Sequence, residues 1–225
     1  MSNFRLVALC GMFALAAPAM AGPIVLTFEG VGDEAAVNNF YNGGTDSQGN
    51  SGTNYGVSFS NTSLGIIDSD AGGTGNIANE PSPSTVLFFL DSNSATLNYA
   101  AGFTTGFSFF YTSSTDATVN VWSGLDATGT LLGSIVVSAQ FTDGCTGDPN
   151  GTFCNWTAAG VNFSGTAMSI DFGGTANQTA YDNITFGSAI PGGVPEPASW
   201  ALMLGGFGLV GSSLRSRTRT RLSFG

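Results

Sequence analysis

Histidine and lysine are absent from this chain of 225 residues, and its five basic residues are all arginines near the two ends. Arg5 stands at the front, and Arg215, Arg217, Arg219 and Arg221 stand at the back, so residues 22–214 hold no cationic side chain. Without His, Lys or Arg, that stretch cannot build a Ser-His-Asp triad, a Schiff-base lysine or an arginine oxyanion clamp. Nor can it displace counterions from phosphates, which excludes nucleic acid as a partner of the central region. A carboxylate pair for glycoside hydrolysis stays open, because that chemistry needs only two acids. Fourteen of the fifteen acidic residues precede Pro195, and among so many a pair carries little information. Solvated loop carboxylates account for them, and a surface of this kind suits divalent cations with oxygen ligands.

Cysteine is nearly as scarce, with three in the chain. Cys10 lies in an opening stretch, "MSNFRLVALCGMFALAAPAMAG", that has the three-part layout of a secretory signal peptide. Arg5 supplies the basic start, residues 6–17 the apolar run, and Ala19-Met20-Ala21 the small-residue cleavage site. Export removes residues 1–21 and leaves Cys145 and Cys154, in "CTGDPNGTFC", as an even pair in an oxidising compartment. A disulfide across that short loop is expected, worth roughly 2–3 kcal/mol in the chain-entropy account. Zinc is not, since two thiols and no imidazole cannot complete its shell.

Before Pro191 no amphipathic helices are legible either. What stands in their place is a series of short segments alternating with period two: "IVLTF" from Ile24, "YGVSFS" around Val57 and Phe59, and "GFSFFYT" with Phe107, Phe109 and Tyr111. "ATVNVWS" adds Val119 and Val121, "AMSIDFG" adds Met168, Ile170 and Phe172, and "NITFG" adds Ile184 and Phe186. Alternation marks strands with one buried and one wet face. "TVLFFL" (85–90) is apolar throughout and reads as a central strand. Clusters of Gly, Asn, Asp and Ser separate these segments and supply turns. The expectation is one all-β domain over residues 22–188, an antiparallel β-sandwich of jelly-roll type, with a closed barrel as the alternative.

Candidate sites follow from this layout. Glu29 stands just after the first strand and Asp182 just before the last. The placement is similar to that in jelly-roll carbohydrate-binding domains, whose neighbouring first and last strands share a structural calcium, and it implies the same ion here. The loop "DSDAGGTGNIANEPS" offers Asp68, Asp70, Asn76, Asn79 and Glu80 as ligands, but without EF-hand spacing. Trp122 alternates away from Val119 and Val121, so it faces outward as a stacking surface for a sugar ring; Phe110 does likewise, and Trp156 stands on a neighbouring loop. In each case the competing reading is ordinary surface or packing.

The end of the chain reads differently. "IPGGVPEPAS" ends the sandwich, residues 189–194 being a linker. Residues 198–214 are uncharged and largely apolar, just long enough to span a bilayer as a helix, and the four arginines follow as a cytoplasmic stop. Pro195, Glu196 and Pro197, the hydrophobic segment opening at Trp200-Ala201, and Arg215, Arg217, Arg219 and Arg221 together resemble the PEP-CTERM sorting signal of Gram-negative bacteria. That resemblance covers residues 195–225. It implies transient anchoring in the inner membrane, processing by an exosortase, and delivery to the cell surface or matrix beside exopolysaccharide. The expected function is therefore a non-catalytic surface or matrix protein; a calcium-dependent carbohydrate-binding module is the alternative, and a glycosidase a distant third.

Overall fold

The alternating segments become strands, as their apolar faces require. The computed structural model describes residues 23–142, 145–146 and 151–192. The signal peptide, the hydrophobic sorting segment, Pro195, Glu196, Pro197 and the four terminal arginines lie outside the described residues. Strands β1 (Val25–Leu26), β2 (Val57–Phe59), β3 (Leu64–Ile67), β4 (Thr85–Phe88), β5 (Ser94–Phe103) and β6 (Gly106–Ser113) come first. They are followed by β7 (Ala117–Trp122), β8 (Leu131–Val137), β9 (Thr157–Asn162), β10 (Ala167–Gly173) and β11 (Thr179–Phe186). A single 3-10 turn, Ser69–Ala71, is the one helical element among the described residues.

The strands form two antiparallel sheets. One runs β3-β4-β11-β6-β9, with β1 added to β11; the other runs β2-β5-β10-β7-β8. Most connections cross from one sheet to the other, and the first strand pairs with the last, Leu26 opposite Ile184. The protein is thus an all-β, two-sheet antiparallel sandwich with jelly-roll-like connections. Both sheets keep free ends, so the barrel alternative is set aside. Among the described residues no helix is long and apolar enough to cross a membrane.

Between the sheets lies a core rich in phenylalanine, where Phe28, Phe107, Phe109, Phe172, Leu97, Ile170 and Tyr181 are fully buried. Phe109 meets Tyr181 edge-on at 5.2 Å between ring centroids, a geometry the aromatic quadrupoles favour. A second apolar cluster, Ile77, Val86, Phe88, Phe153 and Ala180, lies on the outward side of the β1-containing sheet. It explains the unbroken apolar run of β4: Leu87 faces the main core while Val86 and Phe88 face this second one. Phe141 and Trp156 pack against that cluster from either side of the cysteine pair, and Cys145 and Cys154 are bonded, their Cα atoms 4.9 Å apart.

A strap then closes the domain. After β11, Gly187 N–H donates to Gly106 O, Ser108 Oγ to Ser188 O, and Gly192 N–H to Thr185 Oγ1. A Cβ on Gly160 would stand 2.1 Å from Ala189 O, so only glycine allows the strap to lie this close. Packed structure therefore extends through Gly192, past the position where the sequence reading began its linker.

Candidate functional site

The candidate oxygen cluster forms in a notch along β11. β1 pairs with Ile184 and Thr185, β4 pairs with Ala180 and Tyr181, and the ladder with β6 is irregular between Asp182 and Thr185. Asp182 and Asn183 sit in the gap, Asn183 with a positive φ of 49°. Across it stands the chain leaving β1, where Phe28 also takes a positive φ of 62° and its N–H donates to Tyr41 Oη at 2.7 Å. Asn183 tolerates left-handed backbone, whereas Phe28, a bulky residue in that region, marks local strain beside the carboxylates.

Asp182 is fully buried. Its carboxylate accepts from Ser82 N–H (2.8 Å), from Ser82 Oγ (2.8 and 2.9 Å) and from the Asn183 N–H (2.6 Å). Burial pushes its carboxyl up to about 6; the Ser82 and Asn183 hydrogen bonds offset this in part, and the neighbouring Glu29 charge adds to it. Glu29 in turn accepts from Ser84 N–H (3.1 Å), Ser84 Oγ (3.2 Å) and Thr85 N–H (2.9 Å). Ser82 Oγ also lies 3.0 Å from Thr27 O. One hydroxyl proton thus faces three acceptor oxygens, and the local surplus of acceptors has no cationic side chain to meet it. Oxygen-only donors with excess negative character fit a hard cation such as calcium, which Glu29, Asp182, Thr27 O and Ser82 Oγ would hold. Among the described residues no group of three or more acidic, Cys or His side chains converges, so backbone and hydroxyl oxygens would have to complete any shell.

The acidic loop is organised by its own backbone. Asp68 caps the 3-10 turn, its side chain accepting from Asp70 N–H at 3.1 Å. Asn76 lines a shallow hollow with Ile66, Ile77, Phe88 and Phe153, and Asn79 Nδ2 donates to Cys154 O at 3.4 Å. The structure gives these residues separate tasks and does not bring the four side chains to one point.

Trp122 and Trp156 also part company. Val119 and Val121 are fully buried, so Trp122 and Asn120 face outward on the β2-containing sheet. The register sets Asp171 between Thr96 on β5 and Asn120 on β7, and Ser169 between Asn98 and Trp122. Ser134 Oγ donates to Asn120 Oδ1 at 2.9 Å, completing a polar row across four strands. Burial raises the Asp171 carboxyl above its ordinary range, against a lowering hydrogen bond from Thr96. The β7–β8 hairpin bends back along this face: Asn98 Nδ2 donates to Asp126 Oδ1 (2.6 Å), Asp126 N–H to Asn98 Oδ1 (2.8 Å), and Ala127 N–H to Ser169 Oγ (3.0 Å). Trp122 Nε1 is buried with no hydrogen-bond partner. Trp156 instead packs on the second cluster and donates Nε1 to Ala78 O at 2.9 Å. Phe110 faces outward on the other sheet, half-buried, opposite Asp182 and Ala158.

Sequence reasoning missed Ser82 and Asp171. Ser82 stands 100 residues from Asp182, so nothing local announces the pairing. Its setting in Pro81-Ser82-Pro83-Ser84, where prolines remove donors and leave the serines as the polar groups, was the available signal. Asp171 was legible from its alternation with Ile170 and Phe172.

Comparison with known proteins adds the following. The PEP-CTERM protein-sorting motif matches residues 193–219, so the chain carries that motif at its C-terminus. Proteins bearing it are exported and sorted to the membrane or surface by an exosortase. No curated protein matches the chain. Among solved structures, a family 6 carbohydrate-binding module is 22% identical over 58% of this chain and 86% of its own, with a TM-score of 0.36. A β-1,3-glucan-binding family 6 module from Bacillus halodurans is 17% identical over 56% and 87%, at 0.35. The family 11 module from Clostridium thermocellum, with a mixed-linked tetrasaccharide, is 12% identical over 76% and 98%, at 0.31. Likenesses of this size fix neither a ligand nor a site.

Proposed function

We propose that this is an exported, exosortase-processed protein of the cell surface or extracellular matrix, non-catalytic and associated with exopolysaccharide. One juxtaposition carries the reading. The sorting motif begins at residue 193, directly after the strap that Gly192 N–H ties back to Thr185 Oγ1, and residues 22–192 hold no cationic side chain. Before processing, the segment behind Pro195-Glu196-Pro197 anchors the chain in the inner membrane, with the arginines on the cytoplasmic side. Removing it leaves a polyanion whose carboxylates have no intramolecular cations, and calcium held at Glu29 and Asp182 would stabilise the folded state by binding it preferentially. Mass spectrometry of the mature protein from its own cells tests the reading. It predicts a chain starting near Gly22 and lacking Arg215, Arg217, Arg219 and Arg221. An intact arginine-bearing terminus on a soluble cytosolic species contradicts it.

A second reading, glycan recognition, is favoured by the outward face of the β2-containing sheet. An indole, two amides and a half-buried carboxylate share that face. Apolar ring plus neutral hydrogen-bonding groups is what a sugar ring with its hydroxyls requires. A glycan array on the mature protein separates the readings: selective binding lost in Trp122→Ala supports recognition, and silence across the array leaves a matrix role alone.

A further inference from the structure

The two flanks of the sandwich are treated unequally. On one flank, the edge strands β2 and β3 are closed by the loop that follows β1. Val57 N–H donates to Tyr41 O (3.2 Å), Phe59 N–H to Asn38 O (2.8 Å), Gly65 N–H to Ala35 O (2.9 Å), and Val37 N–H to Ser63 O (2.9 Å). On the other flank the edges are β8 and β9, and no backbone hydrogen bond is made along their outer sides among the described residues. Gly133 on β8 lies over Val161 on β9, a Cβ there standing 3.2 Å from the Val161 methyls, so the two free edges are superposed.

Free edges are ordinarily guarded by lysine, proline, a charged side chain or a covering loop, because unpaired N–H and C=O groups template further strands. Here β8 reads LLGSIVV and β9 reads TAAGVN, with no charge and no proline. The irregularity at Val121/Trp122 twists only the start of β8, leaving Gly133 to Val137 in regular pairing with β7. Val136 faces outward on this stretch and, 75% exposed, is the most exposed large apolar side chain among the described residues.

We propose that the β8–β9 flank is a homotypic docking edge, on which a second copy of this chain adds its own β8 antiparallel to the first. The chemistry favours a copy over another partner. An antiparallel two-fold centred on Ile135 sets Gly133 opposite Val137 and Ser134 opposite Val136, so inward meets inward and outward meets outward. Copies repel over surfaces that carry only carboxylates, and these two strands are an uncharged stripe on such a surface. Because the free edges of both layers coincide, one docking event extends the sandwich in both sheets. This goes beyond the proposed function and does not depend on glycan recognition.

Sedimentation equilibrium of the mature protein tests it, with Val136→Lys as the edge variant and Ser51→Lys as a control of equal charge on the closed flank. The expected result is a mass rising from one copy toward two over about 1–500 µM for wild type and Ser51→Lys. Val136→Lys weakens association about thirtyfold or more while its melting temperature stays within about 2 °C of wild type, since the position is exposed. Wild type remaining a monomer throughout overturns the proposal, as does unchanged association in Val136→Lys. Glycan binding by monomeric Val136→Lys is read separately, so the two ideas fail independently.

Discussion

The two outward faces of this sandwich have opposite fates. On the β1-containing sheet, nearly everything outward is buried: Val86, Phe88 and Ala180 under the disulfide-bearing segment, Ser108 and Thr185 under the strap, and Asp182 under Ser82. On the β2-containing sheet, the outward Asn98, Asn120, Trp122, Asp171 and Ser134 keep at least partial exposure, and only the β7–β8 hairpin leans on them. The first face contributes to stability and the second is left the more open of the two. That division is why a buried carboxylate and a half-buried indole play different parts.

Substitution on the two faces should therefore differ most in stability. Phe88→Ala empties a buried site on the covered face and should cost about 3–5 kcal/mol in urea unfolding. Leu131→Ala, 48% exposed on the open face, should cost less than about 0.5 kcal/mol. Equal costs would erase the distinction.

A smaller effect concerns Asp182. Its folded pKa is raised to about 6, so the folded state holds a proton that the unfolded chain has released. Stability should then be greatest below about pH 4 with respect to this group and fall as pH rises through 6, by about 3 kcal/mol in the absence of divalent cation. Asp46 works in the opposite sense. Burial opposes its charge, but hydrogen bonds from Gly32, Asn50 and Gln48 hold its carboxyl below the usual range, so its contribution is lost as pH falls. Asp182→Asn isolates the Asp182 contribution: thermal melts from pH 4 to 7 should flatten in the variant, and millimolar calcium should raise the wild-type melting temperature at pH 7 but not the variant's. A calcium response that survives in Asp182→Asn would remove the notch as the ion's site.

Reducing the Cys145–Cys154 bond loosens the cover of one face only. It should lower stability by about 2–3 kcal/mol and leave any glycan affinity of the other face unchanged, as competition binding before and after reduction would register.

The sequence made some of this visible and hid the rest for physical reasons. Strands with one dry and one wet face wrote their own alternation, as in Val119-Asn120-Val121-Trp122, and so Trp122's direction was readable. β4 was readable as an interior strand because both its faces are buried. β8 and β9 were not, since an edge strand packs on one neighbour only, and β9 must stay small where Gly160 passes under Ala189. Glu29 and Asp182 could be paired from their places at the chain's first and last strands. Ser82, Ser84 and Thr27 could not, because their contacts depend on how far β1 and β4 extend along β11.

The sharpest test falls on the glycan-recognition reading, that the more open, cation-free face holds polysaccharide at the surface of the producing cell. Equilibrium dialysis of the mature protein against exopolysaccharide extracted from those cells addresses it directly, with Trp122→Ala beside wild type. That reading predicts saturable binding that falls about tenfold or more in the variant while its fold is retained. Binding that is absent, or equal in the two proteins, would contradict it.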